Sequence, residues 1–135
     1  MTILSGKRGL IVGVANERSA AWGIAKKASD LGAELAFTYQ IPAFEKRITP
    51  LAESVKSDIM IPCDLSEDGS GKKAIEKLSM YWSEVDFVVH AVGFSDKQEL
   101  SGAYYNTSRQ NFRQTMLISA FSFTELAQAS APMMP

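Results

Sequence analysis

Short apolar blocks alternate along this chain with longer segments of helical character, and this alternation restricts its fold more than any other feature. The apolar blocks at 9–13, 33–39, 58–61 and 85–92 are too short for helices and contain β-prone residues, which is typical of buried strands. A helical segment follows each block. Right-handed crossovers turn such a β-α-β-α-β-α-β-α series into an α/β, doubly wound parallel sheet.

The first two helical segments carry clear start and stop signals. The first is expected to begin at Ser19, whose hydroxyl would cap it, and to stop at Gly32. The second, at 44–55, contains Pro50. Because a proline inside a helix costs about 3 kcal/mol, we expect a break near Thr49 and a new helix that begins at Pro50.

The second half of the chain has its own pattern. A third helix is predicted within 66–83, and the strand at 85–92 lacks polar alternation, so both of its faces should be covered and its place central. A long helix follows at 108–131. Its packed face is predicted to be the stripe formed by Phe112, Met116, Ala120, Phe123 and Ala127.

Charge, length and cysteine content exclude several classes of function. The 135 residues include 14 basic and 15 acidic ones, giving a net charge of −1. Such a balance offers no basic surface for nucleic acids or anionic membranes, and no apolar run approaches the ~20 residues that span a bilayer. A single cysteine, Cys63, and a start unlike a secretory signal predict a cytoplasmic protein.

In an open parallel sheet, ligands bind beyond the carboxyl ends of the strands. After the first strand, Gly13 permits a tight turn, Ala15 permits close approach, and the N–H groups near Ser19 and Ala20 would face an anion at the start of a helix. The pattern is not G-x-G-x-x-G. The loop could equally be no more than a capped helix start.

Polar residues also follow the second and third strands. Gln40 stands where dinucleotide-binding domains contact the adenosine ribose, and its neutral amide, with no cation before Lys46, favours NADH over NADPH. The alternative is a solvent-facing glutamine. Asp64 could accept a hydrogen bond from adenine while Leu65 packs on the ring; alternatively Asp64 is a turn residue, or Ser66 a helix cap.

The fourth strand ends in small residues. Ala91, Val92 and Gly93 would let a cofactor lie against the backbone. The only histidine, His90, lies within the apolar strand and has no cysteine or histidine partner at metal-binding spacing, so it is interpreted as a packed residue rather than a base or ligand.

Several segments together resemble one family along essentially the whole chain. They are LSGKR at 4–8, GVAN at 13–16, SAAWGIA at 19–25, GAELAFTYQ at 32–40, CDL at 63–65, HAVGF at 90–94 and SAFSF at 119–123. In this order they resemble the bacterial NADH-dependent enoyl-[acyl-carrier-protein] reductases, a divergent branch of the short-chain dehydrogenase/reductase superfamily with a Rossmann-like fold.

The resemblance implies hydride transfer from NADH to C3 of a trans-2-enoyl thioester on acyl carrier protein, in type II fatty acid synthesis. It also implies a homotetramer, for which the long helices would supply an interface. The residues that it assigns are Gly13, Ala15, Ser19 and Ala20 to the pyrophosphate, Gln40 to the adenosine ribose, Asp64 and Leu65 to adenine, Ala91, Val92 and Gly93 to the nicotinamide half, and Phe94 and Ser95 to the acyl substrate.

The resemblance places the family's catalytic tyrosine and lysine, spaced Tyr-x6-Lys, after the long fourth helix. None of the tyrosines here is assigned that role, including Tyr39, although Lys46 follows it at the seventh position. We therefore expect no catalytic residue within 1–135 and no reductase turnover by these residues alone.

Chain length leads to the same expectation. A six- or seven-stranded sheet needs at least two further β-α units, so 1–135 is expected to be a dinucleotide-binding domain that is incomplete at its C-terminus, with one unpaired edge on the fourth strand. The competing hypothesis is a non-catalytic nucleotide-binding or interaction module. A methyltransferase-like domain is a third alternative, but it leaves the whole-chain resemblance unexplained.

Overall fold

The computed structural model describes residues 2–135 and contains one sheet of four parallel strands in the order β3-β2-β1-β4. The strands are β1 Arg8–Val12, β2 Glu34–Tyr39, β3 Met60–Pro62 and β4 Phe87–His90. The chain steps outward from β1 to β3 and then returns to place β4 on the other side of β1. The predicted doubly wound α/β fold is confirmed, and the strand order reverses between β1 and β4.

Helices connect the strands and cover both faces of the sheet. They are α1 Ala20–Asp30, α2 Pro42–Ser54, α3 Ser70–Leu78, α4 Arg109–Met116 and α5 Ser122–Ser130, with a π-helical segment, Leu117–Phe121, joining α4 to α5 into one long helix. Short 3₁₀ turns occupy Lys97–Leu100, Tyr104–Asn106 and Ala131–Met133. None of the helices in residues 2–135 has the length and apolar character needed to cross a membrane.

Two apolar cores lie on opposite faces of the sheet because side chains alternate along each strand. Leu10 of β1 belongs to a core closed by α3 and α5, whereas the adjacent Ile11 belongs to a core closed by α1 and α2. Trp22 of α1 and Phe37 of β2 meet in the second core, with ring centroids 6.1 Å apart. Both faces of the central strands are therefore buried.

The predicted break in the second helix does not occur. The helix begins at Pro42, where a missing N–H costs nothing, and continues through Pro50 to Ser54. Pro50 and Lys46 are exposed, so the carbonyl that loses its partner at Lys46 can be hydrated. The Thr49 hydroxyl donates to the carbonyl oxygen of Glu45 at 2.7 Å, one residue earlier. Solvent thus makes an interior proline tolerable.

The fourth strand is not central in this chain. β4 pairs with β1 on one side only, and all four of its residues are half-buried. The expected unpaired edge is thus present, whereas the expected central place is not. The apolar sequence of β4 indicates burial that residues 2–135 supply only in part.

The face of the long helix that packs on the sheet differs from the predicted stripe. Phe112, Met116 and Phe123 are 50%, 46% and 59% exposed. The buried positions are Asn111, Ile118, Ser122, Leu126 and Ser130. Three of these five are polar, so an apolar stripe could not reveal the inner face, and the π-helical segment shifts the periodicity midway.

Candidate dinucleotide site

A cavity of about 360 Å³ opens at the carboxyl edge of the sheet, within the usual size range of small-molecule sites. All four strand ends contribute to it, including the point where the strand order reverses. The predicted site residues that line it are Gly13, Ala15, Gln40, Leu65, Ala91, Val92, Gly93 and Phe94. Ser19, Ala20, Asp64 and Ser95 do not line the cavity, although Asp64 and Ser95 directly adjoin the lining residues Leu65 and Phe94 in the chain.

Gly13 forms the turn between β1 and the following loop. Its φ of +119° is in the region that favours glycine, and a Cβ there would overlap the carbonyl oxygen of Ala91. The turn is therefore packed directly against the end of β4. A glycine at this position brings the two strand ends together at the rim of the cavity.

The predicted capping role of Ser19 is wrong. Its side chain makes no hydrogen bond to the first turn of α1; its Oγ instead accepts from the N–H groups of Ala15 at 2.8 Å and Asn16 at 3.1 Å. The first turn begins with a bond from the Trp22 N–H to the Ser19 carbonyl at 3.0 Å. Because no side chain caps this end, the N–H of Ala20 and the positive end of the helix dipole can serve an anion.

Gln40 and Asp64 meet across the ends of β2 and β3. The Gln40 Nε2 donates to Asp64 Oδ1 at 3.5 Å, and the same oxygen accepts from Ser66 N–H at 3.0 Å and Ser66 Oγ at 2.6 Å. Partial burial raises the pKa of Asp64, but the hydrogen bonds from Ser66 and Gln40 together lower it below its ordinary value. The carboxylate is thus ionised and makes the turn that was one of its two predicted roles.

Sequence reasoning missed several lining residues. Thr38 of β2, 3% exposed, lies two residues before Gln40, and the two-residue strand period could have identified it. Phe44 of α2 and Ile118 of the π-helical segment also line the cavity. No local signal reveals Ile118, because it lies more than a hundred residues along the chain from Gly13, another lining residue.

Cys63 is a further lining residue that was not assigned a role. The thiol is 5% exposed, and burial raises its pKa to about 11. Ser70 Oγ lies 3.9 Å from its sulfur. A protonated, buried thiol behaves as a small apolar group, so Cys63 forms part of the cavity wall and is not a reactive group.

The end of β4 is held by the long helix. Phe94 N–H donates to Ser119 Oγ at 2.9 Å, and the same hydroxyl donates to the Phe94 carbonyl at 3.1 Å. A Cβ on Gly93 would meet only this Ser119 hydroxyl, at 3.8 Å. The backbone at Gly93 is therefore open toward a ligand, while its neighbour Phe94 is fixed.

His90 is packed, as interpreted from its surroundings in the sequence. Its Nε2 lies 2.7 Å from the buried Ser122 Oγ, and the Ser122 hydroxyl donates to the Ile118 carbonyl at 2.5 Å, so Nε2 is the donor to Ser122. The ring also meets Phe123 edge-on at 5.7 Å. Burial lowers the pKa of His90, which keeps the imidazole neutral near pH 7.

These features fit a dinucleotide. The uncapped start of α1 suits a pyrophosphate, the amide of Gln40 suits ribose hydroxyls, and Leu65 and Phe44 offer apolar surface for a ring. The open backbone at Gly93 accommodates a second ring at the other end of the cavity. A ligand with an anionic centre and two flat ends matches this order.

Comparisons with known proteins agree with this geometry. A model of the family described as enoyl-(acyl carrier protein) reductase matches residues 13–135. A relative from Rhizobium meliloti, enoyl-[acyl-carrier-protein] reductase [NADH] 2, is 54% identical over 132 residues, which are 98% of this chain and 49% of the relative. The Aquifex aeolicus enoyl-[acyl-carrier-protein] reductase [NADH] FabI is 42% identical over 134 residues, covering 99% and 50% of the two chains.

Solved structures match equally well. The crystal structure of FabI from Candidatus Liberibacter asiaticus superposes with a TM-score of 0.97 at 55% identity, covering 100% of this chain and 52% of that one. The Anaplasma phagocytophilum reductase, solved in complex with NAD, gives 0.94 at 48% identity, covering 98% and 50%. The chain spans about half the length of these relatives. From the family match over residues 13–135 and these identities, the chain belongs to the enoyl-(acyl carrier protein) reductase family.

Proposed function

We propose that the complete protein containing this chain reduces trans-2-enoyl thioesters of acyl carrier protein to saturated acyl thioesters, with NADH as the reductant. The observation that carries the proposal is a cavity at the carboxyl edge of the sheet, to which all four strand ends contribute, in a chain of this family. The curated relatives carry NADH reductase names, and one neighbouring structure holds NAD. The reaction belongs to fatty acid synthesis.

The residues of this chain would bind and orient the cofactor. The pyrophosphate would lie at Gly13, Ala15, Ser19 and Ala20, where α1 begins without a side-chain cap. The ionised Asp64 orients the Gln40 amide toward the adenosine end, and Leu65 would pack on the adenine. The neutral amide supports NADH over NADPH, since a 2′-phosphate calls for a cation.

The nicotinamide half would lie along Ala91, Val92 and Gly93, where a backbone without bulky side chains allows close approach. NADH, when bound, supplies a hydride. The side chain of Phe94 and the backbone of Ser95 would border the acyl chain and keep water from the reacting carbon. The tyrosine that stabilises the enolate and the lysine that holds the ribose are, by family resemblance, outside residues 1–135.

We also propose a cytoplasmic homotetramer. Phe112, Met116 and Phe123, here named the outer face of the long helix, present three large apolar side chains on one side of α4 and α5. Exposed apolar clusters of this kind mark protein interfaces. A second copy of the same chain is the proposed occupant, and symmetric pairing of long helices would bury the cluster.

The function is tested with the natural protein purified from its source organism. NADH consumption is followed with an enoyl thioester of acyl carrier protein, and NADPH is the comparison. The proposal predicts turnover with NADH and much slower turnover with NADPH. If the protein binds NADH but does not turn over, it is instead a non-catalytic nucleotide-binding module; if it does not bind NADH, the site assignment fails as well.

A further inference from the structure

The loop that leaves β4 is fastened to the long helix at three consecutive residues. Ser119 holds the backbone of Phe94 through two hydrogen bonds. The next two residues, Ser95 and Asp96, are both held by Asn111 of α4. The path of the chain beside the cavity is therefore set by side chains of a helix that is distant in sequence.

Asn111 uses both ends of its amide for this purpose. Its Nδ2 donates to Ser95 Oγ at 3.0 Å, and its Oδ1 accepts from the Asp96 N–H at 2.9 Å. Thr115 Oγ1, one turn later, adds a second bond to Ser95 Oγ at 3.0 Å. An amide supplies a donor and an acceptor from one planar group, whereas an ionised aspartate supplies acceptors only and leucine supplies neither.

Asn111 is buried, so a substitution that removes these hydrogen bonds is costly. The side chain is 6% exposed, although it is polar and lies on a helix whose apolar side chains point outward. A buried amide is retained only when its polar atoms are paired, and removing one partner leaves the other unsatisfied. Asn111 itself does not line the cavity, so any effect on a ligand must pass through the loop.

We propose that Asn111 is a positioning residue for the acyl substrate, and this inference rests on the proposed reductase function. By binding the Ser95 hydroxyl and the Asp96 N–H, Asn111 holds the backbone that follows Phe94 at the mouth of the cavity, where the thioester would enter. The cofactor end of the site does not depend on it. A displacement of about 1 Å at such a wall is enough to change reaction rates substantially.

The test uses the complete natural protein with Asn111→Ala, Asn111→Asp and, as a matched control, Gln110→Ala. Gln110 is an exposed neighbour on the same helix. In Asn111→Ala the KM for the enoyl thioester should rise about tenfold or more, with the Kd for NADH within about twofold of wild type, since only the substrate side moves. Hydrogen exchange at the Asp96 amide should accelerate.

Asn111→Asp keeps an acceptor for the Asp96 N–H, and the Ser95 hydroxyl can turn to donate to the carboxylate. Exchange protection at Asp96 and the KM should therefore lie between those of wild type and Asn111→Ala. Gln110→Ala should match wild type in all measurements.

Three results would overturn the inference. The first is an unchanged KM in Asn111→Ala. The second is an equal loss of NADH and thioester affinity, which would indicate general destabilisation. The third is a KM and an Asp96 exchange protection in Asn111→Asp that are no closer to wild type than those of Asn111→Ala. Absence of turnover in the wild type refutes the proposed function and this inference together. Normal wild-type turnover together with an unchanged KM in Asn111→Ala refutes only this inference.

Discussion

Individual residues at the strand ends either shape the protein or leave room for a ligand, and glycines show the difference. At Gly13 a side chain would overlap the Ala91 carbonyl, and the positive φ of the backbone there is unfavourable for any residue with a side chain. At Gly93 a side chain would meet only the Ser119 hydroxyl, at van der Waals distance. Substitutions at the first position should affect folding. Substitutions at the second should affect binding.

Gly13→Ala is expected to lower the free energy of unfolding by about 2–4 kcal/mol, because backbone strain and steric overlap act together. Urea denaturation measures this change. Gly69→Ala is the matched control, since Gly69 also has a positive φ but has open space around it, and it should cost about 1 kcal/mol. Equal effects at the two sites would show that the β1 turn does not pack against Ala91.

Cys63 should react slowly with alkylating reagents in the folded protein. With its pKa raised from 9.0 to about 11, the thiolate at pH 8 is about 100-fold scarcer than in the unfolded chain. Because the folded state holds the proton more tightly, the contribution of Cys63 to stability should be constant below pH 9 and be lost progressively between pH 9 and 11. Alkylation followed by mass spectrometry, with and without urea, measures the reaction rate of Cys63 in the folded and unfolded chain. Equal rates in the two states would contradict the burial of Cys63.

At the scale of elements, sequence periodicity identified the strands and helices but not every face and boundary. The four apolar blocks predicted four parallel strands, since a covered strand is apolar throughout. The stripe that contains Phe112 and Met116 was read as core but lies outside, because the inner face of the long helix is partly polar. Burial of Ser122 depends on a hydrogen bond to His90, a long-range contact that no local pattern reveals.

For the binding site too, the sequence predicted some residues and missed others. Strand ends such as Gln40 and Gly93 were predictable because parallel strands place their carboxyl ends at one edge. The role of Ser19 was not, since a serine before a helix fits both the first turn and the preceding loop. Ile118 reaches the cavity only through the tertiary packing of the long helix.

The continuous helix α2 leads to a prediction of its own. Pro50→Ala restores a backbone donor opposite the carbonyl of Lys46 and removes the ring from the helix interior. The free energy of unfolding should rise by about 1–3 kcal/mol. Urea denaturation of the variant beside wild type measures it. An unchanged or lower stability would mean that the helix is interrupted at Pro50 after all.

For the whole molecule, the outer face of the long helix is the surface that would join copies of the chain. Met116→Lys should shift the complete protein toward smaller assemblies, because a charge at a closely packed apolar interface must be desolvated. Met80→Lys is the matched control, since Met80 is 83% exposed and lies two residues beyond the end of α3. Light scattering after size-exclusion chromatography measures the mass. Identical assemblies for both variants would refute an interface at the outer face.

In the whole molecule, the cavity at the carboxyl edge of the sheet is the proposed binding site for NADH. Titration calorimetry of the complete natural protein with NADH tests it most directly, comparing wild type with Gly93→Val and with Gly23→Val, a substitution into open space on α1. Because the chain can accommodate a Cβ at Gly93, the valine should keep the fold and obstruct the ligand. We expect Gly93→Val to weaken NADH binding at least about tenfold and Gly23→Val to leave it unchanged. Equal NADH affinity in wild type and Gly93→Val would contradict binding of NADH at this cavity.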